Sequence, residues 1–308
     1  MITDYKKVFD TIVEQTAKYV TDNNLKAMVL GISGGIDSTV VAAICYEVSI
    51  LTGVPLIGRS LPTKFNKEGE TTAADLVGQA FCHDYKEVSI ENLYMSMVDY
   101  INDVEADYSQ TKLANGNIQA RLRMIYLYNL AGIHRGLVMD TDNLTENNLG
   151  YFTIHGDVGD FNPIGGLWKT EVFELAKFLV EKYSVNSHYF ETYDIQKQPN
   201  SDCARCSAIA ASLKLVPTAG LGITSSDLEE LGAESYEQVD AILQEILAWK
   251  WIENQNPRNP EERYQKFMED QQMLNIPIEV IQNVAKRHFY SSFKRKKLPI
   301  KVSRALFV

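Results

Sequence analysis

The segment Leu30-Gly31-Ile32-Ser33-Gly34-Gly35-Ile36-Asp37-Ser38-Thr39 concentrates groups suited to holding a phosphate. Gly34 and Gly35 allow a tight turn and a close backbone approach to a ligand. Ser33, Ser38 and Thr39 bring hydroxyls, and Asp37 brings a hard oxygen for a metal ion beside a phosphate. The apolar run Ala27–Leu30 leads in and the run Val40–Ile44 leads out, so the order is strand, turn, helix. That order aims free backbone N–H groups at an anion. No Lys follows the second glycine, so the loop is not of the Walker type. The alternative is an ordinary glycine turn before a helix. Gly-Gly alone would fit it, but the Ser-Gly-Gly-x-Asp-Ser string after a strand is more specific.

The elements that position this loop alternate along the chain. An amphipathic helix is expected over residues 5–20, with Val8, Phe9, Ile12, Val13, Tyr19 and Val20 on one face. Strand 27–32, helix 38–51, strand 54–60, helix 69–82, strand 86–90, helix 91–104, helix 116–134 and strand 136–140 follow. The alternation predicts an α/β fold with a doubly wound, Rossmann-like parallel sheet and helices on both faces. Ligands of such sheets bind beyond the carboxyl ends of the strands. The glycine loop, Arg59–Thr63 and Asp140–Glu146 all lie at such ends, which points to one site. Residues 141–168 read as a glycine-rich loop, and loops this long are usually functional. A helix over 169–183 follows, and residues 194–235 are polar and irregular around a helix at 204–214. Helices at 236–250, 261–273 and 277–290 make a helical C-terminal part. The expected organisation is one domain over 1–308: a sheet core at about 25–185, an insertion at about 186–216 and the helical part at about 217–308.

With 45% hydrophobic residues, the 308-residue chain can build a sizeable core, and disorder is not expected. The apolar runs are short, so no membrane span is expected. The first ten residues lack an apolar signal region, and cysteine is scarce, so a reducing cytoplasm is the expected location. A net charge of −10 argues against nucleic acid as a partner. A polyanionic substrate would then need a locally basic pocket. Cys45 and Cys82 read as core packing. Cys203 and Cys206 form a lone C-x-x-C, short of two further ligands for a metal site, and are expected to have no catalytic part. The basic run Lys294-Arg295-Lys296-Lys297 reads either as a solvated tail or as a cationic arm that closes over phosphates.

The Ser33–Ser38 string resembles the pyrophosphate loop of enzymes that split ATP between its α and β phosphates. Further along, Asn115-Gly116-Asn117-Ile118-Gln119-Ala120-Arg121-Leu122-Arg123-Met124 is similar to the N-x-x-AR-x-RM helix of the NAD synthetases. Thr141-Asp142 with Glu146, Leu149-Gly150-Tyr151-Phe152-Thr153, Gly156-Asp157, Asp160-Phe161-Asn162-Pro163, Leu167-Trp168-Lys169-Thr170 and Lys294-Arg295 with Pro299 follow that family's order. The resemblance implies an adenine nucleotide α-hydrolase type of fold. It implies ATP-dependent amidation of deamido-NAD⁺ to NAD⁺ with ammonia, through an adenylated intermediate, with AMP and pyrophosphate released.

The resemblance also implies site residues. Gly31, Ile32, Ser33, Gly34, Gly35, Ile36, Asp37, Ser38, Arg59, Thr141, Lys169 and Thr218 would contact ATP. Arg121, Asp160 and Lys294 would contact deamido-NAD⁺. Asp37 and Glu146 would ligate Mg²⁺, and Asp37, Lys169 and Asp160 would carry the chemistry. The residues alone leave alternatives. Lys169 opens a helix, against the helix dipole, which favours an anion-binding role over a solvent-facing one. Arg121 can equally be a surface residue. Asp157 and Asp160 can be loop caps, although Asp160 beside an amine site would attract ammonium. Departures from the family pattern are Ile154 in place of a substrate-contacting Lys, Phe293 in place of a His, and Gly220 within Pro217–Leu221. The synthetase motifs begin near residue 30, leaving no room for an amidase domain, so free ammonia is the expected nucleophile source. Supply by a separate glutaminase stays open with no residue to indicate it. The resemblance further implies a homodimer with the dinucleotide site at its interface. Competing readings are an ATP pyrophosphatase with another acceptor, such as a GMP-synthetase-like or tRNA-thiolating enzyme, and a nucleotide-binding regulator without catalysis.

Overall fold

In a computed structural model, residues 2–66, 68–101, 108–190, 201–217, 226–252, 259–273, 275–296 and 300–301 are described. Helix α1 (Tyr5–Asp22) starts on Asp4, whose side chain accepts from the Lys7 N–H, and buries Val8, Phe9, Ile12, Val13 and Val20. Strand β1 (Met28–Gly31), α2 (Ile36–Thr52), β2 (Leu56–Ser60), α3 (Glu68–Phe81) and β3 (Asp84–Glu87) form successive β-α-β crossover units between parallel strands. Helices α4 (Glu91–Ile101) and α5 (Tyr108–His134) then lead to β4 (Leu137–Val138). The strands make a parallel sheet in the order β3-β2-β1-β4. The reversal of order at β1 is what makes the sheet doubly wound, as the alternating pattern predicts.

Side chains alternate across the sheet, and both faces are buried. Met28, Leu30, Leu56, Leu137 and Met139 pack with α1, α2 and α7 (Lys169–Phe190) on one face. Val29, Ile57 and Val138 pack with Tyr94 of α4 and Leu122, Leu127 and Ala131 of α5 on the other. Two covered faces explain the unbroken apolar runs at 27–30 and 54–57. The expected strand at 86–90 is instead Asp84–Glu87, registered from Ile57↔Asp84 to Ser60↔Glu87. This is an edge strand, and its polar residues lack the pattern that marks an interior one.

The expected loop over 141–168 contains two short elements, α6 (Leu144–Leu149) and β5 (Phe161–Asn162). A capping box between Asn143 and Glu146 starts α6, and Gly150 at φ +70° ends it. A Cβ on Gly150 would meet the Ser291 side chain at 2.4 Å, so glycine is what lets the C-terminal segment pass there. Helix α8 (Ser201–Leu213) packs on α7 and α3 and buries Ala208, Ile209 and Ser212. Helices α9 (Asp227–Leu231), α10 (Tyr236–Ile252), α11 (Pro260–Asp270) and α12 (Ile278–Tyr290) enclose a second core of Leu231, Val239, Leu243, Ile246, Phe267, Ile281 and Phe289. A 3₁₀ turn at Ser292–Lys296 follows, and β6 (Ile300–Lys301) pairs with β5.

A buried carboxylate joins the two cores. Asp240 of α10, 2% exposed, accepts from the Thr145 hydroxyl of α6 and from the Thr170 N–H (3.1 Å) and hydroxyl (2.8 Å) of α7. The Thr145 oxygen in turn accepts from the Lys169 N–H at 2.8 Å. These bonds satisfy the open N-terminal turn of α7 and fix where Lys169 begins. Asp240→Ala strips three donors of their acceptor and should cost about 3–5 kcal/mol in urea unfolding. A loss below about 1 kcal/mol would show that the junction is held by packing alone.

Candidate active site

A cavity of about 490 Å³ opens at the carboxyl ends of β1, β2 and β4, a volume usual for small-molecule sites. Its floor is the glycine loop. Gly34 has φ +83°, and a Cβ there would lie 2.3 Å from the Glu70 carbonyl oxygen of α3. Only glycine fits, because the loop is pressed against α3 while its other side faces the cavity. Gly31, Ile32, Ser33, Gly35, Ile36, Asp37 and Ser38 line the cavity, whereas Gly34 sits behind them. Ser33 Oγ and Ser38 Oγ are 3.0 Å apart, and the Thr39 hydroxyl bridges the Gly35 carbonyl (2.9 Å) and Ser212 Oγ (2.7 Å). Gly35 caps α2 without a side-chain acceptor, so the first N–H groups of that helix remain for an anion.

Lys169 is 2% exposed, which settles its alternative: it does not face solvent. Its Nζ donates to Asp37 Oδ2 at 2.5 Å and to Glu146 Oε1 at 2.9 Å, and it lies 5.7 Å from the Tyr236 ring centre. Asn143 donates to the other Asp37 oxygen at 2.9 Å. Burial pulls the Lys169 ammonium down, but Asp37 and Glu146 outweigh it and hold it well above the usual lysine range. Burial and the Asp37 charge push Glu146 up to about 8 against the pull of Lys169. Two half-buried carboxylates thus share one buried ammonium. Among the described residues, no group of three or more His, Cys, Asp or Glu side chains has the spacing of a metal site.

The opposite wall is acidic at its base and basic at its rim. Asp140, 1% exposed, accepts from the Asp142 N–H (2.7 Å), the Gly159 N–H (2.8 Å) and Asn162 Nδ2 (2.8 Å), which makes it a brace for this wall. Asp142 is raised well above the carboxylate range by burial, then by Asp140 and Asp157. Asp157 is pushed up to about 7, chiefly by burial, although the Thr153 N–H at 2.6 Å opposes the shift. Lys294 donates to the carbonyls of Gly150 (2.7 Å) and Phe152 (2.6 Å) and lines the cavity. Burial and Arg287 lower its pKa.

Thr141, Glu146, Arg59, Lys169 and Lys294 line this cavity together with the loop. Arg59 is anchored to Asp84 at 2.7 Å and to the Gly58 carbonyl at 2.7 Å, with its Nε buried and unbonded. Two expected substrate residues are not among the lining ones. Arg121 is exposed on α5, with Nη2 3.3 Å from the Ile154 carbonyl. Asp160 is exposed and accepts from the Val138 N–H (2.9 Å) and the Tyr128 hydroxyl (3.0 Å), the geometry of a loop cap. Thr218 lies outside the described residues.

Among the cavity-lining residues not expected from the sequence as site residues are Arg123 and Asp157. Arg123 donates to the Leu61 carbonyl at 3.0 Å. Both stand in quoted motifs, two and three positions from the residues chosen. The side chain of Cys45 is buried and that of Cys82 half-buried, and desolvation pushes the Cys82 thiol up to about 12. Cys206 lies 3.2 Å from the Ser184 hydroxyl and does not line the cavity, while the Cys203 side chain lies outside the described residues.

The family model for NAD synthase matches residues 8–298. The chain belongs to the NAD synthase family. The NH(3)-dependent NAD(+) synthetase of Methanococcoides burtonii is 32% identical over 78% of this chain and 79% of its own. That of Thermococcus sibiricus is 29% identical over 96% and 97%. Among solved structures, an NMN synthetase from Francisella tularensis superposes with a TM-score of 0.69 at 24% identity, covering 96% of this chain and 97% of its own. It shows the same fold. An NH3-dependent NAD synthetase from Campylobacter jejuni gives 0.51 at 24% identity over 68% of this chain and 95% of its own. No described helix of this NAD synthase family member is long and apolar enough to cross a membrane.

Asp157 gives a pH test. Its folded pKa of about 7 stands above the unfolded value of about 3.9. Its stabilising contribution is therefore complete below about pH 4 and lost as pH rises through about 7, by at most roughly 4 kcal/mol. Asp157→Asn removes the buried charge and should raise Tm at pH 8 while leaving it nearly unchanged at pH 4. An equal Tm difference at both pH values would contradict the assignment.

Proposed function

We propose that the protein amidates deamido-NAD⁺ to NAD⁺ with ammonia, consuming ATP and releasing AMP and pyrophosphate. The observation that carries this reading is the joining, in one cavity, of the glycine loop and the buried Asp37–Lys169–Glu146 group within a chain of the NAD synthase family. The curated relatives bear the name of that activity.

A carboxylate does not react with ammonia in water, because its oxygen is a poor leaving group. The α-phosphate of ATP converts that oxygen to part of AMP, and ammonia then displaces AMP. The α2 N-terminus and the Ser33 and Ser38 hydroxyls face the place where a pyrophosphate develops charge, and donors aimed in advance stabilise it without reorganisation. Lys169 stays charged through the cycle because two carboxylates hold its proton. Its ammonium lines the same cavity as the loop and adds positive charge beside the phosphates.

Asp37 and Glu146 supply hard carboxylate oxygens with one cation between them, a donor set that fits Mg²⁺ bound largely through substrate phosphates. When bound, Mg²⁺ neutralises charge on the leaving pyrophosphate. Thr141 and Arg59 flank the ATP side. For the acceptor, Lys294 supplies positive charge inside the cavity.

The ammonium role expected of Asp160 fits Asp157 better, because Asp157 faces the cavity and Asp160 does not. A buried carboxyl near neutrality can accept a proton from ammonium and leave ammonia free to attack. We take the protein as a homodimer, in which the exposed Arg121 and Asp160 would meet a substrate bound across two copies. We also take 1–308 as one domain acting in the cytoplasm.

Purified protein given ATP, deamido-NAD⁺ and ammonium chloride should release AMP and form NAD⁺ in equal amounts. ADP as the nucleotide product, or no NAD⁺ from ammonia, would overturn the reading.

A further inference from the structure

Arg287 stands in the last turn of α12 and has no part in the mechanism above. It lines the same cavity as Lys294, and its guanidinium carbon lies over the Tyr151 ring, 4.4 Å from the centre. Nη1 is 3.4 Å from Glu230 Oε1, an ion pair too long for a hydrogen bond. Asp227, the next acid on α9, already accepts from the Tyr236 hydroxyl at 3.0 Å. Nε is buried and has no hydrogen-bond partner. The terminal nitrogens are the part of the fork left to meet a ligand, since Tyr151 and Glu230 hold the group loosely at the cavity wall. An arginine edge presents two parallel N–H donors at the spacing of a carboxylate or phosphate. Lys294 beside it spends its donors on two carbonyls, which cancel none of its charge. Arg287 and Lys294 place two cations together on a wall that Glu230 and Asp227 also line, and two adjacent cations attract an oxyanion.

We propose that Arg287 binds substrate: its guanidinium, lining the cavity next to Lys294, takes an oxyanion of the acceptor, either the nicotinate carboxylate or a bridging phosphate. The inference rests on the reading of deamido-NAD⁺ as acceptor and names a contact within it. Ile154 stands where the family pattern usually has a substrate-contacting Lys, and Arg287 brings a cation to the acceptor side from another element. A purely structural role would consist of complementing the dipole of α12 and tying it to α9, which a Lys would serve equally.

The test is calorimetric titration of the full-length protein, wild type against Arg287→Met and Arg287→Lys, with thermal melts to show that each is folded. Deamido-NAD⁺ should bind roughly tenfold or more weakly to the Met variant, with partial recovery in Lys, while the Kd of a non-hydrolysable ATP analogue changes less than about twofold. NAD⁺ keeps the phosphates and lacks the carboxylate. An equal loss for NAD⁺ assigns the contact to phosphate, and a loss confined to deamido-NAD⁺ assigns it to the carboxylate; both support the proposal. Unchanged deamido-NAD⁺ binding in a folded Met variant, or equal weakening of the ATP analogue, overturns it. Wild type that binds deamido-NAD⁺ without turning it over defeats the functional reading and leaves this contact to be judged by the binding data.

Discussion

The buried ammonium of Lys169 is the interaction on which the rest of the structure depends. It is fixed by Asp37 from the start of α2 and Glu146 from α6, and it stands at the start of α7 under Tyr236 of α10. One cation therefore ties the phosphate loop to the sheet's far side and to the helical part. A buried charge is tolerated only when it is paired and hydrogen-bonded, and losing one partner of such a pair costs about 3–5 kcal/mol. The surrounding bonds meet that demand. Asn143 orients Asp37 and caps α6, and Thr145 with Asp240 holds the backbone of Lys169. The same arrangement leaves Glu146 raised to about 8, because burial and the Asp37 charge favour its neutral form. A cation arriving with ATP would favour the ionised carboxylate instead.

Polyanionic substrates must enter a chain whose net charge is −10. The fold concentrates its few useful cations at one place. Arg59 and Arg123 come from β2 and α5, Lys169 from α7, and Arg287 and Lys294 from the C-terminal segment. Each is anchored by carbonyls, carboxylates or ring faces, so little is spent on ordering side chains when substrate binds. On the opposite wall, burial raises Asp142 and Asp157, so both carboxyls hold a proton more readily than a surface acid does.

The doubly wound sheet and its glycine loop were legible because local patterns carry them: apolar strands, helical periods and a turn that needs glycine at φ +83°. Lys169 was legible as an odd cation at a helix start. Its burial was not, because its partners stand 132 and 23 residues away. The acceptor side was read less well. Arg121 and Arg123 are two positions apart on α5, which turns them to different faces of the helix, and the motif does not say which face meets the cavity. Asp157 and Asp160 differ in the same way, and only the fold of a loop with short α6 and β5 decides which carboxylate turns inward. Those elements have two and six residues, too few to show a period. The Asp84 edge strand escaped its expected boundaries because its residues carry no apolar alternation.

The account stands on the acceptor carboxylate being activated by the α-phosphate of ATP in this cavity. The most direct measurement follows oxygen. Deamido-NAD⁺ carrying ¹⁸O in its nicotinate carboxylate is turned over with ATP and ammonia, and the products are weighed by mass spectrometry. The account predicts one ¹⁸O in AMP and the other in the NAD⁺ amide. Label in pyrophosphate or inorganic phosphate, or AMP without label, would contradict it.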